Sequence, residues 1–213
     1  MIHIRSCEMG MAAANCYIVH DDGHKGFIVD PGDRSEKLIS IIRDEEIDLE
    51  YIILTHGHGD HIGGVESILE AFPAAKIVAH TDEKELLNDP SLNLSREVCG
   101  KAISFDAGLY VRDGERLKIG EIDLEFIHTP GHTKGGMCIL MDIPEGGKAL
   151  FSGDTLFMQS IGRTDFPGGD YSTLIKSIRT KLYSLPDDTL VLPGHMGATE
   201  IGNEKRYNPF VKA

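Results

Sequence analysis

The sequence predicts an α/β layered fold in which helices cover sheets. Three observations carry that expectation. Short β-rich runs recur through both halves of the chain, and amphipathic segments of helical spacing punctuate them. No low-complexity linker or composition break divides the 213 residues, so one domain spanning 1–213 is expected, large enough to bury a substantial core.

Taken in order, Ile2–Glu8 alternates weakly and reads as an edge strand. The runs 15–19 and 26–30 flank an Asp-Asp-Gly-His tract, good turn chemistry, and form a hairpin. Asp30-Pro31-Gly32 ends the second strand; Asp30 reads as an acceptor supporting a ligand or as a turn-former, and the turn is the preferred reading. Residues 35–46 carry apolar side chains at 38, 39, 41 and 42, a helix capped at Asp33 or Ser35. A buried strand over 51–54 follows, and then helical spacing at Ile62, Val65, Ile68, Leu69 and Phe72, closed by Pro73. Residues 76–79 form a short strand and 81–87 a short capped helix. The stretch 88–108 is irregular and is expected to be a flexible or substrate-adjacent insertion. Two hairpins come next: 117–119 with 122–128 around Gly120, and 137–141 with 148–152 around a Pro-Glu-Gly-Gly turn. Asp170 caps a helix over 171–185, and 189–192 is read as the final strand.

Composition narrows the function. The chain is 41% hydrophobic, with a formal charge of −13, which argues against a nucleic-acid or acidic-membrane binder. An anionic small substrate stays open, since a metal or a local cation can dominate the field of a cleft. No apolar stretch approaches the roughly 18 residues of a membrane helix. The N-terminal segment is charged where a signal peptide is apolar, and the four scattered cysteines (7, 16, 99, 138) form no disulfide framework. A cytoplasmic protein with reduced thiols is expected, Cys16 and Cys138 serving as core packing.

The chemistry concentrates in Thr55-His56-Gly57-His58-Gly59-Asp60-His61, which directly follows the strand 51–54. Neutral imidazole and carboxylate suit zinc, iron or manganese, and a scaffold-held loop is where such sites are built. Gly57 and Gly59 are read as removing side chains that would crowd an ion. Three further strand ends repeat the construction. His132 lies in Thr-Pro-Gly-His-Thr after 122–128, Asp154 in Ser-Gly-Asp-Thr-Leu-Phe after 148–152, and His195 in Leu-Pro-Gly-His after 189–192. Each alone reads as well as a structural histidine or a turn aspartate, but four strand ends of one pattern point to a shared site. His3, His20, His24, His80 and His128 lack that setting and read as surface or structural residues, with His128 a candidate support for His132.

The set His56-x-His58-x-Asp60-His61, His132, Asp154 and His195 resembles the ligand set of the metallo-β-lactamase superfamily, over roughly residues 15–195. The resemblance implies an αββα sandwich with the site at one sheet edge. It also implies two divalent ions, zinc expected and iron or manganese compatible. His56, His58 and His132 would hold one ion, Asp60, His61 and His195 the other, and Asp154 would bridge them. Two ions so placed would supply an acidified water as the nucleophile and polarise the carbonyl, and Asp60 would help to orient that water.

The segments 160–170 and 201–210 resemble the small, single-domain glyoxalase II-like hydrolases. That implies cleavage of a small-molecule thioester such as S-lactoylglutathione. Only 213 − 195 = 18 residues follow His195, so the C-terminal helical domain that binds glutathione in the longer enzymes is not expected. Lys134 and Arg163 are the candidate contacts to an anionic substrate group, although Arg163 also reads as an ion-pair partner of Asp165. The rival is a mononuclear Fe(II) persulfide dioxygenase using His56, His132 and Asp154, a class that shares the Gly-Arg-Thr-Asp-Phe segment. The oligomeric state is not legible.

Overall fold

The β-branched and aromatic runs assemble, in the computed structural model, into two six-stranded sheets; residues 1–144 and 146–212 are described. The first sheet holds β1 (Ile2–Met9), β2 (Ala14–Asp21), β3 (Lys25–Val29), β4 (Asp48–Ile53), β5 (Lys76–His80) and β6 (Leu109–Val111), side by side in that order. The second draws on β7 (Arg116–Ile119), β8 (Ile122–His128), β9 (Met137–Asp142) and β10 (Lys148–Gly153). A separate small ribbon pairs β11 (Leu156–Phe157) with β12 (Ser160–Ile161), and β13 (Leu190–Pro193) and β14 (Thr199–Glu200) complete the second sheet. Its spatial order is β14-β13-β10-β9-β8-β7. β3 to β6 run parallel, as do β10 and β13, and their ends therefore deliver loops to one rim.

The helices are α1 (Glu36–Asp44), α2 (Gly59–Ile62), α3 (Val65–Ala71), α4 (Lys84–Asn88), α5 (Ser95–Cys99), α6 (Tyr171–Ser177) and α7 (Ile201–Tyr207). Side-chain alternation sorts the apolar residues into three cores. Ile18, Ile28 and Ile52 face outward from the first sheet onto Leu38, Ile42, Val65 and Ile68 of α1 and α3. Their neighbours Val19, Phe27 and Ile53 face inward and meet Phe126, Ile139 and Phe151 of the second sheet. Cys138, Leu140, Leu150 and Val191 turn the other way, onto Leu174, Ile178 and Ile201. The layers are thus αββα, and strands buried on both faces explain why the sequence shows continuous apolar runs rather than clean alternation. Phe27, Phe126 and Phe151 are fully buried, each stabilising the inter-sheet core by roughly 1.5–3 kcal/mol.

Several local expectations change. The helix expected over 62–72 begins earlier and breaks: α2 starts at Gly59, so Asp60 and His61 sit on a helical turn, and α3 begins after Gly63-Gly64. Those two glycines lie against the Gly32 and Asp33 carbonyls, where a side chain would collide, and the turn there sets the break. The helix after Asp170 continues as a π-helical turn over Ile178–Leu182. β13 is not the last strand, since β14 and α7 follow. β6, β11 and β12 were too short for pattern reading. Ser35, rather than Asp33, caps α1 by accepting the Leu38 N–H. Glu145, in the Pro-Glu-Gly-Gly turn, lies outside the described residues. Among the described residues no helix is long and apolar enough to cross a membrane. Cys16 and Cys138 are free and fully buried, as packing residues should be.

Candidate metal centre

Four strand ends meet at one rim of the sandwich. The ends of β4 from the first sheet and of β8, β10 and β13 from the second bring together His56, His58, Asp60, His61, His132, Asp154 and His195. Two backbone bonds stitch the sheets there, Met137 N–H to the Thr55 carbonyl (2.9 Å) and Asn15 N–H to the Gly194 carbonyl (2.7 Å), and within the second sheet Gly194 N–H donates to the Gly153 carbonyl (2.8 Å).

The first cluster is His56, His58 and His132, all buried. His132 Nδ1 lies 2.7 Å from the Arg163 carbonyl, which can only accept, so Nδ1 carries the proton and Nε2 presents its lone pair inward. That Nε2 sits 2.9 Å from His58 Nδ1 and 3.3 Å from His56 Nε2. Three inward nitrogens this close suit one tetrahedral ion at bond lengths of about 2.0–2.1 Å. Burial, then the neighbouring imidazoles, holds His58 down to about 3 and His56 well below the ordinary value. Both are neutral and ready to ligate.

The second cluster is Asp60, His61 and His195. Asp60 Oδ2 stands 3.3 Å from His195 Nε2 and 3.8 Å from His61 Nε2. Asp154 lies between the clusters, its Oδ1 3.4 Å from His61 Nε2 and its Oδ2 3.6 Å from His195 Nε2 and 3.7 Å from His132 Nε2. Buried His61 Nε2 and Asp154 Oδ1 have no hydrogen-bond partner, a costly state that a cation between them relieves. Burial alone would depress His61, but the Asp154 carboxylate and the Asp30 bond outweigh it and push its pKa up to about 10. His195 is likewise raised, burial opposing and Asp60 prevailing. For Asp60 burial is outweighed by His195 and His61, which hold its carboxyl well below the usual range. Orphaned donors, crowded nitrogens and surplus carboxylate charge all fit two cations.

At Asp30 the acceptor role prevails over the preferred turn reading. Its carboxylate is buried and accepts the Thr55 N–H (2.8 Å), the Thr55 hydroxyl (2.5 Å) and His61 Nδ1–H (3.0 Å). With its hydroxyl proton given to Asp30, Thr55 Oγ1 accepts from His56 Nδ1–H at 3.1 Å. One carboxylate thus orients a histidine of each cluster, the arrangement metal-bound imidazoles depend on. An Asp-Pro-Gly turn signal conceals this, because the partners are 25 and 31 residues away. Asn15 is a second residue that pattern reading missed. Its side chain donates to the Pro193 and Met196 carbonyls, and Tyr17 Oη donates to Pro193, so β2 holds the His195 loop.

The glycines of the motif are also reassigned. A Cβ on Gly57 would press on Leu86 and Leu87, and one on Gly59 on Ser95 and Cys99, so they make room for α4 and α5 rather than for an ion. The irregular stretch 88–108 is accordingly laid against the site: the Asn93 carbonyl accepts the Gly59 N–H, and Cys99 Sγ donates to the Gly59 carbonyl.

Lys134 pairs with Glu85 (2.9 Å) and Arg163 with Asp165 (2.7 Å), the guanidinium lying 3.8 Å over the Phe166 ring. Phe166 packs edge-on against His58. A further group, His80, Asp82 and His128, fails as a metal site: the rings stack face to face at 3.8 Å, so their lone pairs run side by side instead of converging. His128 Nε2 donates to the Lys134 carbonyl, supporting the His132 loop without touching His132 through a hydrogen bond.

Comparison with known proteins agrees with this geometry. The sequence profile described as the Metallo-beta-lactamase superfamily matches residues 9–195. The chain is 40% identical over 203 residues to the Haemophilus influenzae hydroxyacylglutathione hydrolase GloC, covering 93% of each. The crystal structure of the BLEG-1 B3 metallo-beta-lactamase superposes with a TM-score of 0.90 at 37% identity, over 99% of this chain and 100% of that one. TTHA1623, solved in a di-iron-bound form, gives a TM-score of 0.83 at 34% identity over 97% and 100%. With the αββα layers, two His/Asp clusters able to hold two metal ions, and a profile match from β1 to His195, the chain belongs to the metallo-β-lactamase superfamily.

Proposed function

We propose that this chain is a metal-dependent thioester hydrolase, cleaving a small acyl-thiol such as S-lactoylglutathione to a hydroxy acid and a free thiol. The observation that carries the reading is the double cluster with Asp154 between its halves. The 40% identity to a protein named for hydroxyacylglutathione hydrolysis supports the thioester as the bond broken. His56, His58 and His132 would hold one ion, Asp60, His61 and His195 the other, and Asp154 both. Zinc is favoured, with iron or manganese equally acceptable to nitrogen and oxygen donors. Such a pair supplies an acidified water and a Lewis acid for the carbonyl.

The chain's own residues do the rest. Asp60, ionised at neutral pH, can accept a hydrogen bond from the attacking water and aim it. Asp30 and Thr55 keep His56 and His61 in the tautomers that face the ions. Lys134 and Arg163 offer positive charge to an anionic group of the thiol carrier, exchanging Glu85 and Asp165 for it.

Metal analysis combined with a thiol-release assay on S-lactoylglutathione tests the reading. Close to two ions per chain with steady thiol release is the expected result. One iron per chain, with oxygen consumed on glutathione persulfide and no thioester cleavage, assigns the chain to the dioxygenase class instead.

A further inference from the structure

Glu83 is a carboxylate with 1% of its surface exposed, outside the ligand set and used by no step above. It ends a 3₁₀ turn (Thr81–Glu83) that follows β5, and the His80 side chain caps that turn by accepting the Asp82 N–H. Its two oxygens divide between the two loops of the first cluster. Oε1 accepts the Gly57 N–H at 2.8 Å, between His56 and His58. Oε2 accepts the Gly135 N–H at 2.7 Å and the Thr133 hydroxyl at 3.1 Å, just past His132. A side chain at position 135 would collide with the Glu83 amide and its Oε2, so the second loop is built to close on this carboxylate. Burying an acid this deeply is unfavourable, and burial pushes its pKa up to about 7 despite the three donors. A buried carboxylate bridging two loops that come from different sheets is a costly device for holding them at one spacing.

We propose that Glu83 is a positioning residue: it sets the separation of the His56/His58 loop and the His132 loop, and so the affinity of the first cluster for its ion. The inference rests on the metal centre and is independent of which bond the enzyme cleaves.

Glu83→Gln keeps the shape but turns one acceptor oxygen into an amide NH2 that faces an N–H donor, releasing one loop. The two ions are separated by background: His195→Ala leaves the first cluster as the tight site, and His58→Ala leaves the second. Cobalt(II) affinity is read by competition with a chromophoric chelator, together with the cobalt ligand-field spectrum. In the His195→Ala background E83Q should weaken the remaining ion by about ten-fold and shift its spectrum. In the His58→Ala background the remaining ion should bind as before. Unchanged affinity in the first background overturns the proposal, and so does equal weakening in both, the mark of a general structural role. If E83Q does not fold, Thr133→Val removes a single arm of the clamp, and the same asymmetry in smaller size is expected; its absence overturns the proposal. Failure to hydrolyse thioesters leaves this test standing, because it reads metal and not turnover.

Discussion

The two halves of the centre lie against one another and differ in kind. His56, His58 and His132 form a buried cluster of imidazoles alone, in which burial keeps His56 and His58 neutral. Asp60, His61 and His195 form a more open cluster rich in charge, in which carboxylates hold protons on the histidines. His56 and His58 are therefore ready for an ion at neutral pH without releasing a proton. The second half must exchange a proton for its ion, and its affinity is tied to pH.

The comparison can be broken most severely at the residue shared by both halves. Asp154→Ala should remove metal from both clusters and abolish turnover; normal metal content in the folded variant, by elemental analysis, would sink the bridging role. Asp30→Asn comes next. It withdraws the charge from His61 and the acceptor behind Thr55, and should weaken ion binding about 10–100-fold. The charge-rich half should suffer more, since His61 bonds Asp30 directly and His56 only through Thr55. Chelator competition on the two ions decides it.

Melting the chelated protein across pH sharpens the contrast further. The Asp154 carboxylate and the Asp30 bond overcome burial and raise His61 from the ordinary imidazole value of 6.5 to about 10, so its stabilisation is complete below about 6.5 and is lost as pH rises toward 10. His58 runs the other way. Its folded value of about 3 means stability is lost as pH falls below about 6.5. The metal-free protein should be most stable near neutrality, and His61→Asn should flatten the alkaline limb while leaving the acid limb. Loss of both limbs together in that variant would refute the division. The smallest effects are expected at Lys134 and Arg163. Each is an exposed cation already ion-paired and screened by solvent, so alanine variants should raise KM by about five-fold or less with kcat unchanged. A change in kcat would place either residue nearer the reaction than this geometry does.

Legibility in the sequence followed the range of the interactions. His56, His132, Asp154 and His195 could be read because each stands just past an apolar strand, a local pattern. Strands β2 and β10, and the end of β4 at Ile52 and Ile53, are legible for the same reason, as runs buried on both faces. At Asp30 the local signal favours the turn over the acceptor role, because Asp-Pro-Gly carries identical turn chemistry whether or not its carboxylate has remote partners. Glu83 sits in an unremarkable Thr-Asp-Glu-Lys stretch, and its three donors come from 26 to 52 residues away. Gly57 and Gly59 were noticed but explained by the wrong neighbour, since helices α4 and α5 behind the loop leave no local trace there.

By itself the sequence determined the layered α/β fold and singled out the seven candidate ligands, because strand periodicity and donor identity are written residue by residue. Only the tertiary structure decided which side chains orient those candidates, where the helical turn under Asp60 and His61 begins, and why His56 and His58 are held neutral while His61 and His195 hold protons. Those properties depend on burial and on contacts between distant segments, and they come into being when the two sheets close on each other.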